Sequence, residues 1–97
     1  MEQKYHVYIM TNPHHTVLYT GMTGDIIKRG WQHKQQLTDG FTKRYNCTKM
    51  VYIDEYDHPQ DAIDREKQIK AGSRQKKIDL IEELNPDWRD LYEELIR

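Results

Sequence analysis

Tyr19-Thr20-Gly21-Met22-Thr23-Gly24-Asp25-Ile26-Ile27-Lys28-Arg29-Gly30-Trp31-Gln32-His33 is the stretch on which the fold turns. Residues 16–20 (Thr-Val-Leu-Tyr-Thr) read as a strand, rich in β-branched and aromatic side chains. Gly21 and Gly24 bracket a loop. Asp25 is placed to cap a helix over about 26–37, because its carboxylate can accept from the unpaired amides of the first turn. Asp39-Gly40 closes that helix. Ile26, Ile27, Trp31 and Leu37 define its expected buried face. Arg29 and His33, four residues apart and so projecting together, flank that face. Gly30 inside the helix is unfavourable by about 1 kcal/mol relative to Ala, which points to close packing.

Outward from this stretch the pattern stays regular. Residues 5–10 (Tyr-His-Val-Tyr-Ile-Met) read as a first strand, joined to the second by the turn Asn12-Pro13-His14-His15. Alternation places Val7 and Ile9 on one face, and His6, Tyr8 and Met10 on the other. Tyr19 lies in the facing strand. Residues 41–48 are basic and loop-like, and 50–55 read as a third strand. Pro59 starts a helix over about 60–71, which Gly72 ends. Ser73 caps a helix over 74–84. Asn85-Pro86 stops it and starts a short last helix over 87–95. The order β-β-α-β-α-α-α argues an α+β fold, a small antiparallel sheet with helices against it.

Composition narrows the function classes. The chain has 97 residues, which predicts one domain over 1–97. Its mean hydropathy is −1.03, so the core is thin. Seven Tyr contribute rings to that core while keeping wet hydroxyls. No apolar run reaches the length of a membrane span. The opening residues lack a secretory apolar region, and a lone Cys47 excludes an intrachain disulfide framework. A cytoplasmic setting is the expectation. The net charge of −1 hides an asymmetry: residues 24–77 carry twelve Lys and Arg against eight Asp and Glu, whereas 78–97 carry two against seven. A basic middle fits a face that meets phosphate, and it equally fits ordinary solvated helices. Lys28, Lys43, Arg44, Lys70 and Arg74 are the candidate phosphate contacts.

Glu66 breaks the pattern of its helix. At 100° per residue Ala62, Ile63 and Ile69 form one stripe, and Glu66 falls in its middle. A carboxylate there needs a partner. It is an ion-paired or cleft-edge residue, or else a metal ligand or acid–base group. Arg29 beside a cleft would be a good anion ligand, since its planar fork is permanently charged. Other features read as structural. Cys47 is a packing residue, His14-His15 is solvated, Asn85 is a helix cap, and the tail with Trp88, Leu91, Tyr92, Leu95 and Ile96 closes the core.

The spacing resembles that of the GIY-YIG nuclease domain. Tyr19 through His33 follow that family's YIG-x-T-x-[DN]-L-x-x-R-x-x-x-H pattern, and His6-Val7-Tyr8 stands where the family has GIY. Arg65 to Lys70 with Ser73-Arg74 is similar to the short bacterial branch of the superfamily. The resemblance implies a three-stranded antiparallel sheet flanked by helices, and metal-dependent cleavage of DNA phosphodiesters in repair or recombination. It implies a catalytic role for Tyr8, Tyr19, Arg29, His33 and Glu66, with Glu66 holding one Mg²⁺ or Mn²⁺. DNA, branched or nicked, is the implied partner. Asn85 is a loose candidate for the family's late asparagine, at a longer distance from Glu66 than the pattern has. The family's first glycine is His6 here, which alters packing near the site but removes no tyrosine. The competing class is a binding module on the same fold, without catalysis.

Overall fold

The computed structural model describes residues 3–38 and 40–97. Met1, Glu2 and Asp39, the last of which was expected to help close the first helix, lie outside the described residues. Three strands, β1 (Tyr5–Thr11), β2 (Leu18–Thr23) and β3 (Lys49–Tyr56), form one antiparallel sheet in the order β2-β1-β3. The helices are α1 (Ile26–Lys34), α2 (Phe41–Arg44), α3 (Pro59–Ala71), α4 (Arg74–Leu84) and α5 (Tyr92–Leu95). The α+β class and the three-stranded sheet are those the sequence implies. None of the described helices is long and apolar enough to cross a membrane.

The pleat of β1 divides the core in two. Val7 and Ile9 face Val51, Ala62, Ile69 and Ile81, under α3 and α4. Tyr8 and Met10 face Ile26, Cys47, Met50 and Tyr92, under α1 and α5. The period-two alternation of the strand thus sends Tyr8 to the side of α1. Two caps fix the helices as expected: Asp25 Oδ1 accepts from the Lys28 amide at 3.1 Å, and Ser73 Oγ from the Lys76 amide at 3.2 Å. The hairpin turn is closed by Asn12, whose Oδ1 accepts from the amides of Thr16 at 2.8 Å and Val17 at 2.9 Å.

Several local expectations are corrected. β2 runs through Gly21 to Thr23, so Gly21 is a strand residue and not the edge of a loop. Residues 41–44 are a short helix rather than loop. The last helix spans only Tyr92–Leu95 instead of 87–95, because Trp88 takes a left-handed backbone (φ 53°) that a continuing helix excludes. The buried face of α1 is Ile26, Gly30 and His33, not Ile26, Ile27, Trp31 and Leu37. Ile27, Trp31 and Leu37 are exposed. The helix ends at Lys34, and the left-handed Gln36 (φ 56°) takes Leu37 off its stripe.

Gly30 has a clear cause. A Cβ there would stand 2.7 Å from Cε1 of Tyr92, whose ring closes the core over α1. The tail therefore packs on the sheet, as read. His15 is not simply solvated: its ring stacks on Trp88 with centroids 4.7 Å apart, and its Nε2 lies 3.0 Å from Lys49 Nζ. Asn85 caps the end of α4 rather than the start of a helix. It is 1% exposed and fully committed, donating to the carbonyls of Val51 (3.1 Å) and Arg89 (2.9 Å) and accepting from the Arg89 amide (3.0 Å).

Candidate active site

The site forms where the Tyr8 ring lies across the edge strand β2. Gly21 is its cross-strand partner. A Cβ on Gly21 would stand 2.5 Å from the Tyr8 hydroxyl oxygen and 3.1 Å from Cε2 of Tyr19. Only a residue without a side chain lets the phenol reach this position. Tyr19, two residues earlier in β2, stands on the same face, its ring centroid 6.5 Å from that of Tyr8.

From the other side α1 delivers His33. Its Nε2 lies 2.9 Å from the Tyr8 oxygen, and its ring is 5.8 Å from that of Tyr19. His33 Nδ1 in turn lies 3.3 Å from Thr38 Oγ1, and Thr38 Oγ1 lies 2.7 Å from Thr42 Oγ1. A hydrogen-bonded line thus runs from Tyr8 through the imidazole to two hydroxyls, the second buried in α2. Burial, helped by the Arg29 guanidinium, pulls the His33 pKa down to about 4. The imidazole is neutral at pH 7, so it carries one proton and bonds as donor on one nitrogen and acceptor on the other.

Arg29 stands one turn before His33 and is half-buried. Its charge and a hydrogen bond favour ionisation of Tyr8, but burial of the phenol and the neighbouring Tyr19 outweigh it, with Glu66 adding to the opposition. The Tyr8 hydroxyl is consequently held well above its ordinary pKa of 10 and is protonated at neutral pH.

Glu66 comes from α3, which packs across β1 and β2. Its carboxylate is 3.3 Å from Lys70 Nζ one turn on, with 21% of the side chain exposed. The ion-paired reading of the sequence applies, and the residue lies on the helix between buried Ala62 and Ile69. Among the described residues no three His, Cys, Asp or Glu side chains gather around a common point. Glu66 still suits a hard divalent cation of the Mg²⁺ type, which takes one or two carboxylates and completes its shell with water and substrate phosphate.

Tyr8, Tyr19, Arg29, His33 and Glu66 are thus assembled from β1, β2, α1 and α3. The candidate phosphate contacts are more dispersed. Lys28 lies beside Arg29 on the rim of a cleft with Gly24 and Gln32. Lys70 pairs with Glu66. Lys43 is exposed on α2, and Arg44 lies 5.4 Å over the Tyr45 ring. Arg74 donates to the His15 carbonyl at 3.2 Å, at the hairpin turn. Sequence reasoning missed Thr38, Thr42 and the steric role of Gly21. The first two carry no motif, and the glycine passed for a turn residue.

Comparison with known proteins agrees with this geometry. The family model described as the GIY-YIG catalytic domain matches residues 4–79. A UPF0213 protein of Staphylococcus saprophyticus is 41% identical over 66 residues, covering 68% of this chain and 80% of that protein. A UPF0213 protein of Staphylococcus aureus is 36% identical over 66 residues, with the same coverage. The solution NMR structure of a UPF0213 protein from Bacillus halodurans superposes with a TM-score of 0.58 at 23% identity, covering 90% of this chain and 92% of that one. The match of fold and motif over most of its length places this chain in the GIY-YIG family, among its short UPF0213 members.

Proposed function

We propose that the protein is a metal-dependent endonuclease that hydrolyses DNA phosphodiester bonds at the Tyr8 site. The observation that carries this reading is the 2.9 Å contact between Tyr8 and a neutral, buried His33 in a cluster that also holds Arg29 and Glu66. A nucleic-acid binding module gains nothing from a desolvated tyrosine–histidine pair.

Hydrolysis requires that water lose a proton as it attacks phosphorus. Tyr8 does not begin as a phenolate, because burial keeps it protonated. Instead its O–H donates to His33 Nε2, leaving a lone pair on the phenolic oxygen to accept from water. As the water oxygen bonds to phosphorus, its proton passes to Tyr8 and the Tyr8 proton passes to His33. In this arrangement His33 carries its resting proton on Nδ1 and donates it to Thr38, which donates to Thr42. The two hydroxyls can accept and pass on that hydrogen bond, so the line accommodates the tautomer that leaves Nε2 free to accept. Arg29 binds the scissile phosphate, and its fixed charge stabilises the negative charge that grows in the transition state. Tyr19 orients the attacking water from β2. Glu66 would hold the Mg²⁺ or Mn²⁺ ion, releasing Lys70 to the phosphate backbone. When bound, that ion would supply Lewis-acid stabilisation of the phosphate and of the departing oxygen, which takes its proton from solvent while His33 returns its extra proton there.

The test is incubation of purified protein with supercoiled plasmid and with branched DNA, in Mg²⁺, Mn²⁺ or EDTA. The proposal expects nicking that chelation stops. Salt-sensitive binding unchanged by chelator, with no cleavage of either substrate, favours the binding-module reading.

A further inference from the structure

A second feature of the site lies along the open edge of β2, and its use rests on the nuclease reading. Leu18, Tyr19, Thr20, Phe41, Lys70 and Lys77 line a cleft of about 310 Å³. One wall is aromatic. Phe41 stacks on Tyr19 with centroids 6.0 Å apart and planes 27° from parallel, and Tyr45 follows at 4.7 Å. The row starts at the Tyr8–Tyr19 pair and ends under the Arg44 guanidinium. Its outer members are not core residues: Phe41 is 45% and Tyr45 40% exposed. The rest of the lining is cationic, with Lys70 from α3, paired to Glu66 at 3.3 Å, and Lys77 from α4, which donates to the Gly72 carbonyl at 2.6 Å.

We propose that this cleft holds one unpaired nucleotide adjoining the scissile phosphodiester, its base stacked on Phe41 and its phosphate between Lys70 and Lys77. Charge and shape together select this occupant. Each ammonium group has three donors and spends one on its protein partner, so a nucleotide can offer a flat π-face to the rings and an anion to the remaining donors, which an apolar peptide cannot. Within a duplex each base face is covered by its neighbours, and only base edges and phosphates can be reached. A ring wall can therefore receive only a base that has left the stack. The cleft begins at Tyr19, so the stacked base neighbours the bond being cut. The protein consequently prefers single strands, flaps or loops to continuous duplex.

The experiment uses the full chain and two oligonucleotides of one sequence, a flap substrate with 2-aminopurine beside the junction and a continuous duplex. Binding is read by anisotropy and by 2-aminopurine quenching in EDTA, and cleavage separately under single-turnover conditions with Mg²⁺. Wild type should bind the flap about tenfold more tightly than duplex and quench the probe. Phe41→Ala should lose about tenfold in flap affinity along with the quenching, and leave duplex binding unchanged. Phe41→Leu, which keeps apolar bulk without a stacking face, should behave likewise if the alanine variant folds poorly. Lys77→Gln should weaken flap binding and lower its salt dependence. Equal binding of flap and duplex, or full quenching by Phe41→Leu, would overturn the proposal. If chelator-sensitive cleavage persists in that case, the nuclease reading stands alone. Quenching that depends on Phe41 without any cleavage would leave the cleft as assigned and remove the nuclease reading.

Discussion

Replacing Gly21 by Ala tests whether the site depends on a phenol crossing an edge strand. The added Cβ would lie 2.5 Å from the Tyr8 oxygen and 2.6 Å from Cζ. Non-bonded heavy atoms settle at about 3.5 Å, so the hydroxyl must withdraw by about 1 Å. It has little freedom to do so. Tyr8 is wholly buried, and its oxygen is 2.9 Å from His33 Nε2. Overpacking of this kind costs about 1–3 kcal/mol, which lowers Tm by roughly 5–15 °C in a chain of this size. A reacting group misplaced by about 1 Å costs on the order of 100-fold in rate. The assay pairs thermal unfolding by circular dichroism with single-turnover DNA cleavage, and follows the His33 ring nitrogens by ¹⁵N NMR. Gly24→Ala is the control, because the Cβ there meets the exposed end of Gln3 at 3.0 Å and nothing nearer. A Gly21→Ala protein with wild-type Tm, wild-type His33 shifts and wild-type cleavage would refute the reasoning.

His33 should titrate near pH 4 by NMR, and a midpoint near 6.5 would contradict its burial beside Arg29. Because its folded pKa lies below the unfolded value of 6.5, the unfolded chain binds the extra proton first. Stability should therefore fall as pH drops from about 6.5 through 4, by about 3 kcal/mol from this residue once both states are protonated. Gly30→Ala should be destabilising in urea by about 1–3 kcal/mol despite the gain in helix propensity, because Tyr92 occupies the space; a more stable variant would reject that packing. Asn85→Ala should cost about 1–3 kcal/mol by stranding the Val51 and Arg89 backbone groups, while the folded fraction keeps its cleavage rate. A loss of cleavage at full stability would make Asn85 a site residue instead.

The residues most legible in the sequence were those whose chemistry is local. The Asp25 and Ser73 caps, the Gly72 stop and the alternation of β1 all act within a few residues, and all stand in the structure as read. The Tyr19–His33 motif carried the family. The buried stripe of α1 was misread because its real members, Gly30 and His33, contribute almost nothing to a hydrophobic pattern. Gly30 is buried by what α5 places on it, and that information lies some sixty residues along the chain. Gly21 showed the same limit. Its need for no side chain comes from Tyr8 across the sheet and not from the bend of its own backbone. The His33–Thr38–Thr42 line was invisible because hydroxyl residues are common in connecting segments, and only the fold sets them in sequence. Glu66 could be flagged as an anomaly on its helix. Its partner Lys70, one turn on, is a pairing the helix spacing allows, whereas its electrostatic effect on Tyr8 depends on how α3 packs across the sheet.

The most direct test of the central claim is single-turnover cleavage of supercoiled DNA in Mg²⁺ by wild type, Glu66→Gln and Arg29→Ala, with folding checked by circular dichroism and DNA affinity measured in EDTA. The account predicts that both variants stay folded and lose at least about 100-fold in cleavage, with Glu66→Gln retaining its affinity for DNA. Two folded variants that cut at the wild-type rate would contradict it.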